Sequence, residues 1–495
     1  MDKRTENRRN VGCAVYAAPG TGTSLRNHAR GRAYDFDLNA VMRLLVCERI
    51  PGPGSKWAAW ERRGRHFLGC DLLLADACRG TGELAAARDK LCAQTSGAIA
   101  ASGGRDASCA CYDVTNYFFE SGPDGQGGLR ERSVPEERRP NPIARMGMLQ
   151  DADGVPIPHE LFCGNTQDGQ AMMPVLAEMR RAQGVGRVVA VADKGPDSSD
   201  NIAALMGRGD GFVLSQSLRG TRSDGRTRAW ATSDEGWDAA GDFRTRSRQG
   251  TRVPRPRAGD TVDGRPKDVE AGVKWVALWS GRYQRRARAE RARVIERAQD
   301  PVAHHARHTH HGAAHYVRNV GFDGDGSVAT RRELSLDEEA IAEAERYDGY
   351  HLICTSETGW SDARILDAYR ELWRIEESFR ITKSELRVRP VFVWTTPRME
   401  VHFLTCYVAL VILRLPRRAT GLPASRIREE MASMSCSALD ANWWLSDHRT
   451  DESDLLLRTV GLSDLRRKTM RTGEIKALFS RARKSGIPHK EKSSG

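Results

Sequence analysis

The stretch YRELWRIEESFRITKSEL, residues 369–386, constrains the fold most, because its pattern is that of a helix with one buried face. It contains no proline or glycine and is rich in glutamate, leucine, arginine and lysine, which are strong helix formers. The helix is predicted to continue the preceding segment SDARILDA, with Ser361 or Asp362 as its N-cap. At roughly 100° per residue, four apolar residues form one stripe: Leu372, Ile375, Phe379 and Leu386.

A second stripe lies beside the apolar one and consists of every seventh residue: Tyr369, Glu376 and Lys383. Glu376 is therefore expected where the helix surface passes from buried to open, between a phenol and an ammonium group. A carboxylate at such a boundary costs free energy to desolvate. Two interpretations stay open from this segment alone: a functional carboxylate, or a boundary glutamate paired with Arg380 four residues on.

The size and charge of the chain indicate a multidomain protein with an anionic partner. Its 495 residues exceed a single core, so two to four domains are expected. Residues 241–300 hold 16 Arg and Lys against 8 Asp and Glu, a net +8 of the total +12. Such a local patch favours nucleic acid as the partner, although a generally basic, arginine-rich protein would also carry it.

The sequence predicts a cytoplasmic protein without a membrane segment. No run of about 18 apolar residues occurs, and the most apolar stretch, residues 402–415, is predicted to be a buried core helix. The N-terminus lacks the apolar region of a secretory signal. The 11 cysteines are irregularly spaced and odd in number, which favours reduced thiols.

Changes in composition divide the chain into six expected segments. A poorly ordered N-terminus (1–35) precedes a helical N-terminal domain (36–104), which is a candidate for binding DNA ends. Strand and helix patterns then alternate in the first part of an α/β core (105–218), and a basic insertion subdomain (219–345) interrupts it. The second part of the core (346–415) is followed by a basic, helical C-terminal region and tail (416–495).

Two aspartates in predicted strands change the interpretation of Glu376. Asp113 lies in the middle of the strand CACYDVTNYFFE, and Asp193 closes the apolar run VVAVAD. A carboxylate at the end of a buried strand is costly unless it is paired or binds a cation, although Asp193 alone is equally consistent with a strand-end residue that caps the next turn. Three carboxylates brought together would form an all-oxygen site suited to Mg²⁺ or Mn²⁺, as used in two-metal phosphoryl transfer.

The order strand aspartate, strand aspartate, helix glutamate resembles the DDE transposases, which have an RNase H-like core. The spacing Tyr369-x2-Leu372-x3-Glu376-x6-Lys383 is similar to the Tyr-Arg-Glu-Lys signature of the insertion-sequence-four family of bacterial transposases. The segments YDVTNYFFE, FCGNTQD, VVAVADKG, LWRIEESFRITKSELRVRP and VHFLTCYVALVILR also resemble that family, especially its long-insertion branch. The resemblance covers residues 36–415. It implies an α/β fold: an RNase H-like mixed sheet with flanking helices, interrupted by a largely β insertion, plus the helical N-terminal domain.

The resemblance also implies roles for individual residues. Asp113, Asp193 and Glu376 match the catalytic, metal-binding acids of the family, and Tyr369 and Lys383 match its phosphate-holding residues. Leu372 stands where the family has arginine, so Arg374 and Arg380 are candidates to supply that charge. The family also stacks an aromatic residue of the insertion on a flipped base. Four tryptophans are candidates and none is assigned: Trp230, Trp237, Trp275 and Trp279.

The implied activity is DNA transposition with two Mg²⁺ ions, for which Mn²⁺ is an alternative. Water would cleave the element end, and the freed 3′-OH would attack target DNA. The implied partner is double-stranded DNA, as terminal repeats and target, and a homodimer is expected because two ends must be paired. The implied location is the bacterial cytoplasm, at the nucleoid. Two alternatives stay open: an RNase H-like nuclease without strand transfer, and a non-catalytic DNA-binding relic of a transposase.

Two further features of the insertion carry open interpretations. The arginine-rich helix predicted over residues 282–297 is either a solvated face or a DNA-backbone contact through Arg285, Arg286 and Arg288. The histidine-rich stretch at residues 304–315 has no cysteine or carboxylate at ligand spacing, so a solvated loop is favoured over a zinc site.

Overall fold

The computed structural model of the protein describes most of the chain. The described residues are 8–10, 21–30, 32, 34–67, 71–101, 105, 109–120, 128–131, 141–157, 159–183, 187–193, 195–219, 224–254, 261–262, 265–266, 269–304, 317–322, 328–440 and 442–485. The chain folds into two compact units, the first comprising residues 1–210 and 367–495 and the second residues 211–366. The boundaries of the six expected segments stay predictions.

The first unit begins with a short strand and a group of helices. These are β1 (Arg8–Asn10), α1 (Thr21–Ala29), α2 (Leu38–Arg49), α3 (Lys56–Glu61) and α4 (Leu74–Ala101). Helix α4 is continuous over 28 residues, although it contains three glycines. Gly80 is a packing residue, because a Cβ at this position would lie 3.1 Å from the side chain of Val41.

A mixed four-stranded sheet forms the centre of the first unit. Its elements in chain order are β2 (Cys109–Phe118), β3 (Ile143–Gln150), β4 (Glu160–Cys163), α5 (Asp168–Gln183), β5 (Val189–Ala192) and α6 (Ser199–Gly207). The strands lie in the order β4-β3-β2-β5. Strands β2, β3 and β4 are antiparallel neighbours, and β5 is parallel to β2. The α/β class with a mixed sheet and flanking helices is therefore confirmed.

The second unit is a mostly antiparallel sheet with helices. Its elements are β6 (Gly211–Gln216), α7 (Gly225–Thr232), β7 (Asp238–Ala240), β8 (Phe243–Arg252), β9 (Thr261–Val262), β10 (Arg265–Pro266), β11 (Ala271–Ser280), α8 (Gly281–His304), β12 (Val317–Phe322), β13 (Val328–Leu336), α9 (Glu338–Glu345) and β14 (Tyr350–Thr355). Five strands lie in the order β6-β14-β11-β8-β7. Strands β8 and β11 of the predicted insertion thus pair in the same sheet as the core strand β14.

The chain returns to the first unit through the segment that constrained the fold. Helix α10 (Asp362–Arg370) starts after Ser361, whose Oγ accepts a hydrogen bond from the backbone of Arg364 at 3.3 Å. Helix α11 (Leu372–Arg380) follows after the single turn residue Glu371, and it continues into one π turn (Ile381–Glu385). The predicted apolar stripe is buried, so the predicted helical periodicity is confirmed, with a one-residue break and a wider last turn.

Helix α12 (Thr396–Thr420) forms the core of the first unit. By length and composition alone it is apolar enough to cross a membrane, but its most apolar window is 89% buried inside the fold, as expected of a core helix. It contacts the sheet directly, because the rings of Tyr117 and Phe403 meet edge to face with centroids 5.1 Å apart.

The C-terminal region differs from the prediction that it would be helical. Helices α13 (Ala424–Ser433), α14 (Asp451–Thr459) and α15 (Thr472–Ser485) are joined by strands β15 (Ser435–Ala438), β16 (Trp443–Ser446) and β17 (Thr469–Arg471). These strands form a four-stranded sheet with β1 from the N-terminus, in the order β1-β15-β16-β17. Strands of three or four residues are too short for a period-two pattern to register, and this sheet requires pairing between distant parts of the chain.

Candidate active site

Asp113 lies on the face of the first sheet that α11 covers. Gln150 is paired with Cys111 across strands β2 and β3, and paired residues project to the same face. The side-chain amide of Gln150 donates a hydrogen bond to the Ser378 hydroxyl of α11. Further along the same face of β2, the hydroxyls of Tyr117 and Thr382 are 2.7 Å apart. Asp113 falls between these two contacts, half-buried, and its Oδ1 accepts a hydrogen bond from the backbone N–H of the next residue.

Asp193 follows β5 directly and is exposed. Strands β2 and β5 are parallel, and Cys111 pairs with Val191. Asp113 lies two residues beyond Cys111, and Asp193 lies two residues beyond Val191 and follows the end of β5. The register therefore places both aspartates near the point where β5 ends.

Helix α10, which carries the signature residue Tyr369, contacts Asp193. The phenol of Tyr369, near the end of α10, donates a hydrogen bond of 2.9 Å to Oδ1 of Asp193. At the other end of the same stripe, the Lys383 ammonium lies 5.9 Å from the ring centroid of Tyr117 on β2. Glu376 lies between these two residues on the stripe and is exposed. Both ends of the predicted stripe thus contact elements that carry the predicted aspartates.

Lys383 lies in the π turn that ends α11. The wider turn is defined by a hydrogen bond of 2.9 Å from the Leu386 N–H to the Ile381 carbonyl, five residues apart. Single π turns inside helices are often found at functional sites. Sequence periodicity gave no sign of this turn, because the apolar stripe continues through it to Leu386.

A buried arginine holds α11 in place, and the sequence analysis missed it. Arg414 of α12 is 3% exposed, and its guanidinium binds Oε2 of Glu377 at 2.9 Å, the Ser378 hydroxyl at 3.0 Å and the Arg374 carbonyl at 2.7 Å. Burial lowers the pKa of Arg414 to about 10, so it remains charged at neutral pH. An arginine inside the apolar run VHFLTCYVALVILRL was the signal that could have revealed it, because a buried charge requires a partner.

Glu377 is the carboxylate partner in this anchor, one residue after the predicted catalytic acid. Burial acts to raise its pKa, but the hydrogen bond from Arg417 and the charge of Arg414 outweigh burial and lower the pKa below its usual value. Glu377 therefore stays ionised and bound to α12. Glu376, its neighbour in sequence, is left on the open side of the helix.

The site offers only oxygen donors of the kind that hard divalent cations prefer. Asp113, Asp193 and Glu376 would supply carboxylates, and Asp113 and Asp193 each lie two residues beyond the paired Cys111 and Val191. Within the described residues, no group of three or more His, Cys, Asp or Glu side chains lies close enough to hold a metal ion. The donor chemistry thus suits Mg²⁺ or Mn²⁺, and the three side chains do not form a closed cage.

The two candidates for the missing signature arginine differ in their contacts. Arg374 lies against the turn after β3: its guanidinium donates to the Ala152 carbonyl and pairs with Glu371, and its aliphatic part packs on Gly154. Arg380 is 75% exposed, with Glu377 at 3.7 Å as a weak partner. Arg380 is therefore better placed than Arg374 to contact a phosphate.

The three arginines proposed to contact DNA lie on α8 of the second unit. Arg285 pairs with Asp242 at 3.0 Å, Arg286 with Glu290 at 2.8 Å and Arg288 with Asp348 at 3.9 Å. The three arginine side chains are 64–75% exposed, and exposed ion pairs contribute only about 0–1 kcal/mol. A phosphate would therefore compete with these carboxylates at low cost, and the proposed contact remains a prediction.

The insertion tryptophans stack on arginines of β8. Arg246 lies 4.9 Å from the ring centroid of Trp230 and 4.4 Å from that of Trp237, and Arg248 lies 4.6 Å from Trp230. The two tryptophans of β11 have similar contacts, Trp275 with Arg248 at 5.1 Å and Trp279 with Arg244 at 4.9 Å. The four rings thus make cation–π contacts within the second unit. Of the histidine-rich stretch, residues 305–315 lie outside the described residues.

Comparison with known proteins adds one distant structural likeness. No family model matches the chain, and no curated protein matches it. Among solved structures, the chain is similar to a cryo-EM structure of a piggyBac transposase synaptic complex with hairpin DNA. The likeness covers 95% of this chain and 77% of that chain, at 8% sequence identity and a TM-score of 0.38. Similarity at this level defines neither a family nor an activity.

Proposed function

We propose that the protein is a DNA transposase that cleaves the ends of an insertion sequence and transfers them to target DNA. The main support for this proposal is the hydrogen bond from Tyr369 to Asp193, which joins α10 to the residue that follows β5. The register of β2 and β5, which pairs Cys111 with Val191, supports it independently. On this proposal, distant parts of the sequence contribute acids to one metal site.

Each residue of the site has a role in the proposed reaction. Asp113, Asp193 and Glu376 would hold two Mg²⁺ ions, with Mn²⁺ as an alternative, and such ions supply an activated water and stabilise the leaving oxygen. Lys383 and Arg380 would bind the phosphates on either side of the cleaved bond. Tyr369 would orient the Asp193 carboxylate through its hydrogen bond. The Arg414–Glu377 anchor would keep Glu376 directed towards the DNA.

We also propose a DNA contact on the basic surface of the second unit. Arg285, Arg286 and Arg288 would contact the backbone of the double-stranded terminal repeats or target. A homodimer is proposed because transposition pairs two ends. The protein would act at the nucleoid in the bacterial cytoplasm.

The test is strand cleavage on duplex DNA that carries the sequences flanking the gene, in Mg²⁺ or Mn²⁺. Alanine at Asp113, Asp193 or Glu376 should abolish cleavage and leave binding to the same DNA within about twofold, because the acids act on the reaction and not on the backbone. Asp367→Ala is the matched control. Asp367 is 69% exposed and pairs with Arg370 on the outside of α10, so cleavage should be unchanged. Normal cleavage by any of the three acid variants would remove that residue from the site.

An assay of strand transfer with pre-cut ends distinguishes a transposase from a nuclease without strand transfer. A transposase joins a pre-cut 3′-OH end to target DNA, whereas a nuclease of the same fold only cuts. A wild-type protein that binds the ends but neither cuts nor joins them, in Mg²⁺ or in Mn²⁺, would be a non-catalytic relic.

A further inference from the structure

Two large aromatic side chains are exposed in the segment that follows the π turn of the candidate active site. Phe392 is 67% exposed and Trp394 is 54% exposed, both in the irregular segment between the π turn and α12. Exposing such rings to water is costly at about 25 cal/mol per Å² of apolar surface, so a pair of them in one short segment indicates a binding surface. We call residues 387–398 the aromatic segment.

The aromatic segment is fixed to the sheet rather than loosely attached. The Val391 N–H donates to the Phe118 carbonyl at 3.0 Å, and the Glu120 N–H donates to the Val391 carbonyl at 3.3 Å. At its other end the Met399 N–H donates to the Thr395 carbonyl at 3.0 Å, which starts α12. The two exposed rings are therefore held by backbone hydrogen bonds at a defined place, the carboxyl end of β2.

The positive charge around the two rings indicates the chemical class of their partner. Residues 380–398 contain five arginines and lysines and one acidic residue, Glu385. Glu385 is itself paired with Arg428 at 2.8 Å, while Arg387 and Arg398 of the segment are exposed. A second copy of the chain would bring the same positive charge against this surface. An anionic partner with flat rings of its own matches both features, and single-stranded nucleic acid has both.

The distance between the aromatic segment and Asp113 follows from their positions along β2. Val391 is bridged to Phe119, six residues beyond Asp113 on an extended chain. At about 3.3 Å per residue, the aromatic segment lies about 20 Å from Asp113. A strand of B-form DNA advances about 3.4 Å per nucleotide, so this distance corresponds to about six stacked nucleotides.

We propose that Phe392 and Trp394 form a stacking surface for unpaired bases of the DNA strand, about six nucleotides from the cleaved phosphate. The proposal rests on the proposed function for the position of the cleaved bond. The basic side chains nearby hold the strand backbone, and the two rings stack on its bases. Stacking has no sequence requirement, because every base presents a flat face.

The test measures binding of the full-length protein to a labelled single-stranded oligonucleotide and to a duplex with a single-stranded tail. Phe392→Ala with Trp394→Ala should weaken binding of the single strand about 10- to 100-fold, and binding of a fully paired duplex should change less than about threefold. Trp394→Phe should retain most of the affinity and Trp394→Leu should not, because leucine is apolar but cannot stack. Leu73→Ala is the matched control, since Leu73 is 68% exposed and distant in sequence.

A position scan tests the distance. In a tailed duplex, 2-aminopurine placed at successive positions should change fluorescence most at about the sixth nucleotide from the end, and the double variant should lose that change. Unchanged single-strand affinity in the double variant would overturn the proposal. Loss of self-association in that variant, with unchanged DNA affinity, would also overturn it and would indicate an interface between copies.

The outcomes for this proposal and for the proposed function are separable. A protein that cuts DNA normally after loss of both rings, with unchanged affinity for single strands, retains the function and loses the stacking surface. A protein that binds single strands through the rings but never cuts DNA retains the surface and loses the function. Circular dichroism and thermal melting of each variant confirm that it is folded.

Discussion

At the scale of single residues, the helix stripe was predictable, because its members recur at a short and regular spacing. The seven-residue recurrence of Tyr369, Glu376 and Lys383 placed them on one helix stripe, and the contacts of Tyr369 and Lys383 follow it. The Tyr369–Asp193 hydrogen bond itself could not be predicted, because it joins residues 176 positions apart. The role of Glu377 was also missed, because helical periodicity cannot show what packs on the far side of a helix.

Tyr369→Phe removes only the hydroxyl that contacts Asp193. We expect cleavage to fall about tenfold, or about 1.4 kcal/mol in the barrier, because the hydrogen bond orients a carboxylate that remains present. Thermal stability should be unchanged, since this contact is at the surface. The measurement is single-turnover cleavage with the melting temperature of each variant. Tyr347→Phe is the control, because its hydroxyl donates to Glu343 at 2.8 Å in the second unit. Equal loss in both variants would contradict the prediction.

At the scale of elements, the sequence predicted the two strands that precede or carry Asp193 and Asp113. Their patterns are strong: β2 and β5 are rich in β-branched and apolar residues, and α5 ends close to a glycine. The strands β15, β16 and β17 were missed, because a sheet that depends on pairing with β1 has no local signal. The packing of α11 against α12 could not be predicted either, since it depends on Arg414 of α12.

Arg414→Leu should loosen α11 from α12. We expect the free energy of unfolding to fall by about 3–5 kcal/mol, because the buried Ser378 hydroxyl and the half-buried Glu377 carboxylate lose the Arg414 guanidinium. Adding Glu377→Leu should recover only part of that loss, because it removes the carboxylate that lost Arg414 but also removes the partner of Arg417. Urea unfolding of the single and double variants measures both effects. The control Arg346→Leu removes an arginine with 71% side-chain exposure that pairs with the exposed Glu343, so it should cost less than about 1 kcal/mol. A similar cost for Arg414→Leu would mean that the anchor is not stabilising.

At the scale of the whole molecule, buried histidines link stability to pH. His159 is fully buried, and neither of its ring nitrogens has a hydrogen-bond partner among the residues that the structure describes; burial lowers its pKa well below the ordinary value. Burial also lowers the pKa of His402 to about 3, although the ring lies 2.9 Å from the Val388 carbonyl. Because both groups are neutral when folded and titrate near 6.5 when unfolded, their stabilising contribution is complete above pH 6.5. It is lost as the pH falls from 6.5 towards 3.

His159→Phe should reduce this acid sensitivity. Between pH 6.5 and pH 5, protonation of this histidine in the unfolded state lowers the free energy of unfolding by about 2 kcal/mol. The variant lacks the group, so its free energy of unfolding should fall by about 2 kcal/mol less than that of the wild type over the same range. The measurement is urea unfolding at several pH values. Phe403→Leu is the control, because it removes core packing without removing a titrating group, and it should lower stability equally at each pH. An unchanged pH slope in His159→Phe would contradict the assignment.

The division of the chain into two units has a consequence for its synthesis. The first unit is assembled from residues on both sides of the second, since the chain leaves it after residue 210 and re-enters at residue 367. A ribosome therefore delivers Asp113 and Asp193 long before the helix that carries Glu376. On the proposed function, a polypeptide released early would hold two of the three acids and would be unable to cut the chromosome, so the order of translation itself protects the cell from incomplete copies.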